Sequence, residues 1–187
     1  MLAEIENAII HAIQSAPGMR YLKAVDSYGG EFDSETFDVI RALPAVWVVF
    51  AGSGKPQKIG AQKFLTPATF AVMCGARSVR SEKATRQNGP GGEVGVYRIL
   101  EDVSSLLLMK DLGLAIDHFQ PGSVKTLYNT QLRSNGLAVF AQEWHTKFTQ
   151  TVPAESSTPL KSVGLAYTEA ATGKTEASDV VQLPINI

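Results

Sequence analysis

The segment Asn88-Gly-Pro-Gly-Gly-Glu-Val-Gly-Val-Tyr-Arg-Ile-Leu-Glu-Asp-Val-Ser-Ser-Leu-Leu-Leu-Met-Lys-Asp-Leu-Gly-Leu114 passes from a glycine-rich loop into the most regular apolar pattern of the chain. Its apolar residues recur at three- and four-residue steps, and so share one helix face: Val96, Ile99, Leu100, Val103, Leu106 and Leu107. The opposite face is polar: Arg98, Glu101, Asp102 and Ser105. Lys110 and Gly113 are typical of a helix end, so we predict a core helix over residues 94–110.

Three further runs predict strands of a sheet. The run Ala45-Val-Trp-Val-Val-Phe-Ala51 is continuously apolar, which is typical of a central strand buried on both faces. A second apolar run lies within residues 64–79. Residues 137–152 alternate, with Phe140, Trp144 and Phe148 on one side and Glu143, His145 and Lys147 on the other.

The fold class follows from these elements and from a helical stripe near the N-terminus, which ends at Pro17-Gly18. We predict a two-layer α+β fold, in which the N-terminal helix and the central helix pack on a mixed, mainly antiparallel sheet. Beyond Pro153 the composition changes to Ser, Thr, Ala, Glu and Gly. We therefore expect a domain of residues 1–152 and an extension of residues 153–187, which forms either an outer β-hairpin or an arm that becomes ordered on a neighbouring subunit.

Composition limits the possible classes of protein. The 187 residues are 44% hydrophobic and 19% charged, as in ordinary globular domains, and the net charge of −1 provides no global attraction to nucleic acid or anionic membranes. The single cysteine, Cys74, excludes an internal disulfide and indicates a reducing compartment. No apolar run approaches the roughly 20 residues that span a bilayer, and the N-terminus does not resemble a signal peptide. We expect a soluble protein of the cytosol in which it is made.

Two sequence patterns suggest ligand binding, and each has a simpler interpretation. Gly52-Ser-Gly-Lys55 follows the predicted central strand, but the residue after Lys55 is Pro56, and the earlier glycine of a phosphate-binding loop is Val49 here. A plain turn between strands is the alternative. Glu143 and His145 share a strand face and could be two metal ligands, but a metal site needs a third, and His118 cannot be placed there from sequence. A surface charge pattern is the alternative.

Catalytic signatures are missing from the sequence. We find no Gly-x-Ser-x-Gly elbow, no His-Glu-x-x-His motif and no cysteine cluster, and the three histidines are dispersed. We therefore expect no catalytic residue, no cofactor and no bound metal, and we interpret Cys74 as a small core residue.

Residues 77–92 form the candidate site. They are predicted to be a loop with one acidic residue, Glu82, and four basic residues: Arg77, Arg80, Lys83 and Arg86. Two interpretations are open: a solvated loop, or a basic arm for an acidic partner surface or DNA. Aromatic residues are absent from this loop, so base stacking is not indicated. Together with Gly91 and Gly92, the four basic residues are our candidates for a subunit or partner interface.

Four pieces of the chain, in this order, resemble one family: Leu43-Pro-Ala-Val-Trp-Val-Val-Phe-Ala-Gly52, Gly91-Gly-Glu-Val-Gly-Val-Tyr-Arg-Ile-Leu-Glu-Asp-Val-Ser-Ser-Leu-Leu107, Asp111-Leu-Gly-Leu-Ala-Ile-Asp117 and Gly136-Leu-Ala-Val-Phe-Ala-Gln-Glu-Trp-His-Thr-Lys-Phe148. The resemblance is to the tail-terminator-type (tail completion) proteins of Mu-like phages and prophages, and it covers roughly residues 1–150. None of the pieces is a catalytic signature, and the extension beyond Pro153 is not matched.

The resemblance implies a small α/β structural protein of the virion, assembled in the cytoplasm of the bacterial host. It would form a ring, commonly a hexamer, that caps the tail tube, stops tube polymerisation and offers a joining surface to the head. Its expected partners are copies of itself, the tail tube protein and head connector or neck proteins, without a membrane or sequence-specific nucleic acid. The alternatives are a head–tail connector from the same gene neighbourhood and a nucleotide-binding enzyme that uses residues 52–55.

Overall fold

The computed structural model describes residues 1–30, 41–78, 82–89, 93–127, 136–153, 162–168 and 175–182. The chain divides into two compact units, Met1–Thr151 and Val152–Ile187.

The described residues of the first unit form three α-helices and six strands. In chain order these are α1 (Leu2–Ser15), β1 (Ala24–Ser27), β2 (Ala45–Gly52), β3 (Gln57–Lys58), β4 (Lys63–Arg77), α2 (Glu82–Arg86), α3 (Val96–Leu107), β5 (Gln120–Thr126) and β6 (Leu137–Thr151). A short 3₁₀ turn, Pro17–Met19, follows α1.

The six strands build one mixed sheet in the order β1-β2-β4-β6-β5, with β3 added to β4. β1 pairs parallel to β2, and every other pairing is antiparallel. β4 and β6 pair along fifteen residues each, from Lys63 opposite Thr151 to Arg77 opposite Leu137. These pairings confirm the predicted mixed, mainly antiparallel sheet and the predicted central strand.

The two predicted helices pack on one face of this sheet. Ile5, Ile9 and Ile13 of α1 are fully buried, as are four residues of α3, namely Val96, Ile99, Val103 and Leu107. They belong to one apolar cluster with sheet residues such as Phe70 and Trp144. Because burying an isoleucine or valine side chain stabilises a fold by about 1.5–3 kcal/mol, this layer is the main source of stability.

The opposite face of the sheet carries a smaller apolar cluster. Its buried members come from the neighbourhood of β2, β4 and the start of β6: Leu43, Ala45, Trp47, Met73, Leu137 and Val139. The exposure of the odd-numbered face of β6 therefore changes along the strand. Residues 137 and 139 are buried on that face, whereas residues 145 and 147 are exposed. The predicted alternation of β6 is confirmed for Trp144 and Phe148, which are buried, against His145 and Lys147, which are exposed.

The central helix ends earlier than predicted. It stops at Leu107, so Lys110 and Gly113 lie beyond it and do not terminate it. Leu108 is extended, with φ −57° and ψ 121°, and Met109 has a positive φ of 55°. The reason is tertiary, because the Met109 N–H donates to the Phe119 carbonyl (3.1 Å) and the Phe119 N–H donates to the Lys110 carbonyl (2.8 Å).

The second unit contains two described strands, β7 (Ser162–Thr168) and β8 (Thr175–Gln182). They pair antiparallel, from Ser162 opposite Gln182 to Thr168 opposite Thr175, with an irregularity near Tyr167. This is a two-stranded sheet, which by itself is at most marginally stable in water.

Candidate functional site

The structure places half of the predicted interface residues. Arg77 is the last residue of β4 and is exposed, Lys83 is exposed on α2, and Arg86 is half-buried at the end of α2. Arg80, Gly91 and Gly92 lie outside the described residues. The prediction of a loop throughout residues 77–92 is wrong, because residues 82–86 form a helix.

This short helix is held against the sheet by Thr85. Thr85 is 2% exposed, and its hydroxyl donates to the Gly136 carbonyl at 3.4 Å. The same carbonyl accepts the Ser78 N–H at 3.2 Å, so α2 and the end of β4 meet the start of β6 at one atom. The Ser78 hydroxyl also donates to the Glu93 carboxylate at 3.1 Å. In the sequence Thr85 is one polar residue among charged neighbours, so nothing local indicated this contact.

The chain then closes a tight loop before α3. Asn88 has a φ of +79°, and its side-chain oxygen accepts the Gly95 N–H at 2.8 Å. The Gly89 N–H donates to the Glu93 carbonyl at 2.9 Å. Gly95 lies so close to this loop that a Cβ would be 2.4 Å from the Asn88 nitrogen and 2.6 Å from the Arg86 carbonyl oxygen. The described flanks of the basic segment are therefore held in place by backbone contacts, with Arg77 and Lys83 directed to the surface.

The Gly52-Ser-Gly-Lys55 segment is a turn between strands. It follows β2, leads into β3 (Gln57–Lys58) and is largely exposed. The Ser53 hydroxyl donates to the Pro67 carbonyl at 2.6 Å, which fastens the turn to β4. A phosphate-binding loop needs a helix N-terminus directly after it, and a strand takes that place here. The turn interpretation is confirmed.

Glu143 and His145 are engaged in separate surface contacts. Glu143 accepts hydrogen bonds from the Lys125 ammonium (2.9 Å) and the Ser123 hydroxyl (2.8 Å), and these two contacts lower the pKa of its carboxyl group. The Nδ1 atom of His145 lies 2.9 Å from the Thr69 hydroxyl oxygen. The His145 ring also lies directly over Gly122, where a Cβ would come within 2.3 Å of its Nε2 atom. The surface charge pattern is confirmed by the ion pair between Lys125 and Glu143.

His118, whose position the sequence did not predict, lies on the same surface as His145. His118 and His145 line one shallow cleft of about 230 Å³, together with Asp117, Thr69 and Lys147. Within the part of the chain that the structure describes, no group of three His, Cys, Asp or Glu side chains could hold a metal ion. The cleft brings two imidazoles to one surface without assembling a ligand set.

Cys74 lies in the core and carries no reactive role. It is fully buried in the cluster beneath the helices, and burial raises the pKa of its thiol far above the usual range. A thiol is nucleophilic only as the thiolate, so Cys74 is chemically inert in the folded protein. Its interpretation as a small core residue is confirmed.

Sequence reasoning missed a second group of basic residues. Residues 44–92 contain seven basic residues and one acidic residue, Glu82, although the chain as a whole has a net charge of −1. Three of the seven precede the predicted site: Lys55, Lys58 and Lys63. Lys63 begins β4 and Arg77 ends it, so the two basic groups lie at opposite ends of a strand roughly 45–50 Å long. Counting charge by segment would have revealed the second group.

Comparison with known proteins identifies a family for this chain. No helix among the described residues is long and apolar enough to cross a membrane. No curated protein matches the chain. Residues 1–149 match the family described as Bacteriophage Mu, Gp37, which covers nearly the whole first unit and leaves the second unmatched. A match over this share of the sequence makes the chain a Mu-like phage protein, and it belongs to the bacteriophage Mu Gp37 family.

Proposed function

We propose that this protein is a structural component of the phage tail that caps the tail tube as a ring. In this role it ends tube polymerisation and offers the surface that joins the tail to the head. Its partners are further copies of itself, arranged as a hexamer, the tail tube protein and the head connector proteins. It is assembled in the cytoplasm of the bacterial host and stays in the virion neck.

The observation that carries the proposal is the family match, which spans the α+β unit almost from end to end. Membership in a Mu-like phage family supports a structural protein over an enzyme. The described geometry is compatible with that role, because Glu143 forms a surface ion pair, and His145 and Ser78 form side-chain hydrogen bonds, without converging on a reactive group.

The candidate interface at Arg77, Arg80, Lys83, Arg86, Gly91 and Gly92 belongs to this proposal. Arg77 and Lys83 are exposed at the end of the sheet where α2 is anchored. A ring with cyclic symmetry needs two different surfaces on each subunit, and this end of the sheet can provide one surface for a neighbour or for the tube.

A deletion experiment tests the proposed function. Host cells carrying the phage with this gene disrupted should release overlong or headless tails, because nothing ends the growth of the tube. Tail lengths measured by negative-stain electron microscopy decide the outcome, and expression of the intact gene from a plasmid is the control. Tails of normal length that fail to join heads would contradict the terminator function and favour the head–tail connector.

A further inference from the structure

The cleft that holds His118 and His145 lies where a strand pairing is interrupted. β5 pairs along β6 as far as Gln120, which lies opposite His145. The chain before β5 meets β6 again at Ile116, which forms a bridge to Phe148. Four steps along the chain, from Ile116 to Gln120, thus lie opposite three steps of β6, which is the arrangement of a β-bulge. Bulges redirect side chains, and the cleft of about 230 Å³ lies at this position.

Phe119 explains why the pairing is interrupted. Its side chain is fully buried in the main apolar cluster. Its backbone is bonded to the loop after α3, because its N–H donates to the Lys110 carbonyl at 2.8 Å and its carbonyl accepts the Met109 N–H at 3.1 Å. His118, the residue before it, is left exposed at the surface. The position of His118 is therefore fixed by the core residue that follows it.

The ring of His145 is also held in place. Its Nδ1 atom lies 2.9 Å from the Thr69 hydroxyl oxygen. The ring lies over Gly122, where a Cβ would come within 2.3 Å of the Nε2 atom. These two contacts limit the rotation of the imidazole, so it is positioned before a ligand arrives. Such preorganisation lowers the entropic cost of binding.

Three more side chains that line the cleft can donate hydrogen bonds: His118, Gln120 and Lys147. All three are exposed, and none forms a hydrogen bond or ion pair with another residue in the part of the chain that the structure describes. The Thr146 hydroxyl, in contrast, already donates to the Asp117 carbonyl. The cleft thus offers an ammonium group, an amide and two imidazoles to a ligand.

The charge of the cleft depends on its imidazoles. Asp117 is the acidic residue that lines the cleft, and its charge balances that of Lys147. Imidazole is the side chain that changes its charge between about pH 5 and about pH 8. Protonation of His118 and His145 therefore gives the cleft a net positive charge.

Two further acidic residues lie near the imidazoles, and each is offset by a basic residue. Glu143 is ion-paired with Lys125 at 2.9 Å. The pKa of Asp111 is lowered first by backbone hydrogen bonds and then by the charges of His118 and Lys110. No acidic residue occurs in β4, which provides another part of the lining. An anion that enters the cleft therefore meets a net attraction once the imidazoles are charged.

The lining favours a carboxylate side chain over a metal ion, a nucleic acid or free phosphate. Among the described residues, no three His, Cys, Asp or Glu side chains lie together to hold a metal ion. Nucleic acids bind through many phosphate contacts, whereas a cleft of this size holds one anionic group. Pro67 and Ala68 add apolar carbon atoms to the lining, which can contact the methylene groups of glutamate or aspartate. Inorganic phosphate has no such groups.

We propose that the cleft between His118 and His145 binds the carboxylate of a glutamate or aspartate from a partner protein of the virion. Lys147 and the protonated imidazoles donate hydrogen bonds to it, and charge-assisted bonds of this kind are about twice as strong as neutral ones. Binding is therefore tighter in mildly acidic than in basic solution. The inference rests on the proposed function, since that function supplies the partner in the virion.

An NMR titration of the full-length protein with hexaglutamate tests the binding. The chain has three histidines, and His11 on α1 lies outside the cleft, so its imidazole signals are an internal reference. We expect the signals of His118 and His145 to shift until saturation, whereas those of His11 stay unchanged. The affinity should be roughly tenfold higher at about pH 6 than at about pH 8, because the imidazoles gain charge.

Single-charge variants separate the cleft from the general charge of the protein. Lys147→Gln removes a donor from the cleft and should weaken peptide binding by about tenfold. Lys58→Gln removes the same charge from β3, where Lys58 pairs with Phe64 on the other face of the sheet, and should change the affinity by less than about twofold. His118→Gln combined with His145→Gln should remove the pH dependence. Unchanged thermal unfolding of these variants shows that the fold is intact, as expected for exposed residues.

Several outcomes would overturn the proposal. These are cleft signals that do not move, an equal loss of affinity in Lys58→Gln, and a pH dependence that persists in the histidine variant. Inorganic phosphate that displaces the peptide at equal concentration would show a free-phosphate site instead, and tighter binding of duplex DNA would show a nucleic-acid site. Self-association of the wild type that is lost in Lys147→Gln would place the acidic residue on a second copy and would contradict a separate partner.

Complementation of the gene deletion separates this inference from the proposed function. Phage that lacks the gene should yield fewer infectious particles with Lys147→Gln supplied from a plasmid than with the wild type or Lys58→Gln. Peptide binding combined with normal-length tails after the deletion would contradict the terminator function alone. Overlong tails after the deletion, combined with absent peptide binding, would contradict the cleft alone.

Discussion

Asp102 shows how one side chain on a polar helix face can connect distant parts of the chain. Its carboxylate is 18% exposed and accepts hydrogen bonds from the Tyr21 hydroxyl at 2.8 Å and the Arg98 Nε at 3.0 Å. Tyr21 lies 81 positions earlier in the sequence, just after the 3₁₀ turn that follows α1. Hydrogen bonds to a charged group contribute about 1.5–3 kcal/mol, so this contact helps to fasten the N-terminal region to α3.

This contact gives a prediction about pH. Burial, and then the hydrogen bond to Asp102, raise the pKa of Tyr21 well above its usual value of 10.0. Because the folded protein holds this proton more tightly than the unfolded chain, the stabilising effect is complete below pH 10.0 and declines as the pH rises above it. We expect the free energy of unfolding to fall less steeply in Tyr21→Phe than in the wild type between about pH 8 and about pH 11. Urea unfolding at several pH values measures this, and equal slopes would contradict it.

At the scale of elements, the junction between α2 and α3 determines where the central helix starts. α3 begins at Val96, directly after Gly95, whose N–H is bonded to the Asn88 side chain. The absence of a side chain at Gly95 lets the Arg86 and Asn88 backbones approach it. The helix therefore starts where the loop before it is packed, rather than at a residue with a side-chain cap of its own.

Replacing this glycine should destabilise the protein. Gly95→Ala introduces a Cβ that would lie 2.4 Å from the Asn88 nitrogen, and a backbone neighbour cannot move away as a flexible side chain can. We expect a loss of roughly 1–3 kcal/mol in the free energy of unfolding, measured by chemical denaturation. Gly18→Ala is the matched control, because a Cβ there has nothing within 4 Å, and its effect should stay within about 0.5 kcal/mol. Equal stability of the two variants would contradict this, because it would show that the backbone at Arg86 and Asn88 can shift at little cost in free energy.

At the scale of the whole molecule, the first unit has what an independent domain needs. One apolar cluster joins α1, α3 and the sheet within Met1–Thr151. The family match ends at residue 149, close to the end of this unit. The second unit consists, in its described part, of the β7–β8 pair.

Truncation tests this division. A protein of residues 1–151 should unfold in one cooperative transition, with a midpoint within about 4 °C of the full-length protein, because the core is retained. The separate peptide of residues 152–187 should lack stable structure, since an isolated two-stranded pair is marginal in water. Calorimetry and circular dichroism give the two measurements. A truncated protein without a cooperative transition would show that the first unit depends on the second.

Much of the fold was predictable because the signals were local. The period of the apolar residues identified α1, α3 and β6, and a continuous apolar run identified β2. Burial agrees with these predictions at Ile9, Val103, Trp144 and Val48. The position of the helix end was not predictable, because Leu107 is followed by backbone bonds to Phe119 rather than by a local cap. The candidate site was only partly predictable, since the anchor of Thr85 on Gly136 joins residues 51 positions apart.

Chemistry and periodicity thus established an α+β domain with two core helices, an inert cysteine and a sequence pattern that resembles Mu-like phage proteins, because these depend on residue type and local spacing. Tertiary structure alone placed Lys63 and Arg77 at opposite ends of one long strand, brought His118 beside His145, and bonded Tyr21 to Asp102. Strand register and loop packing decide those neighbours, and both depend on contacts between residues far apart in the chain.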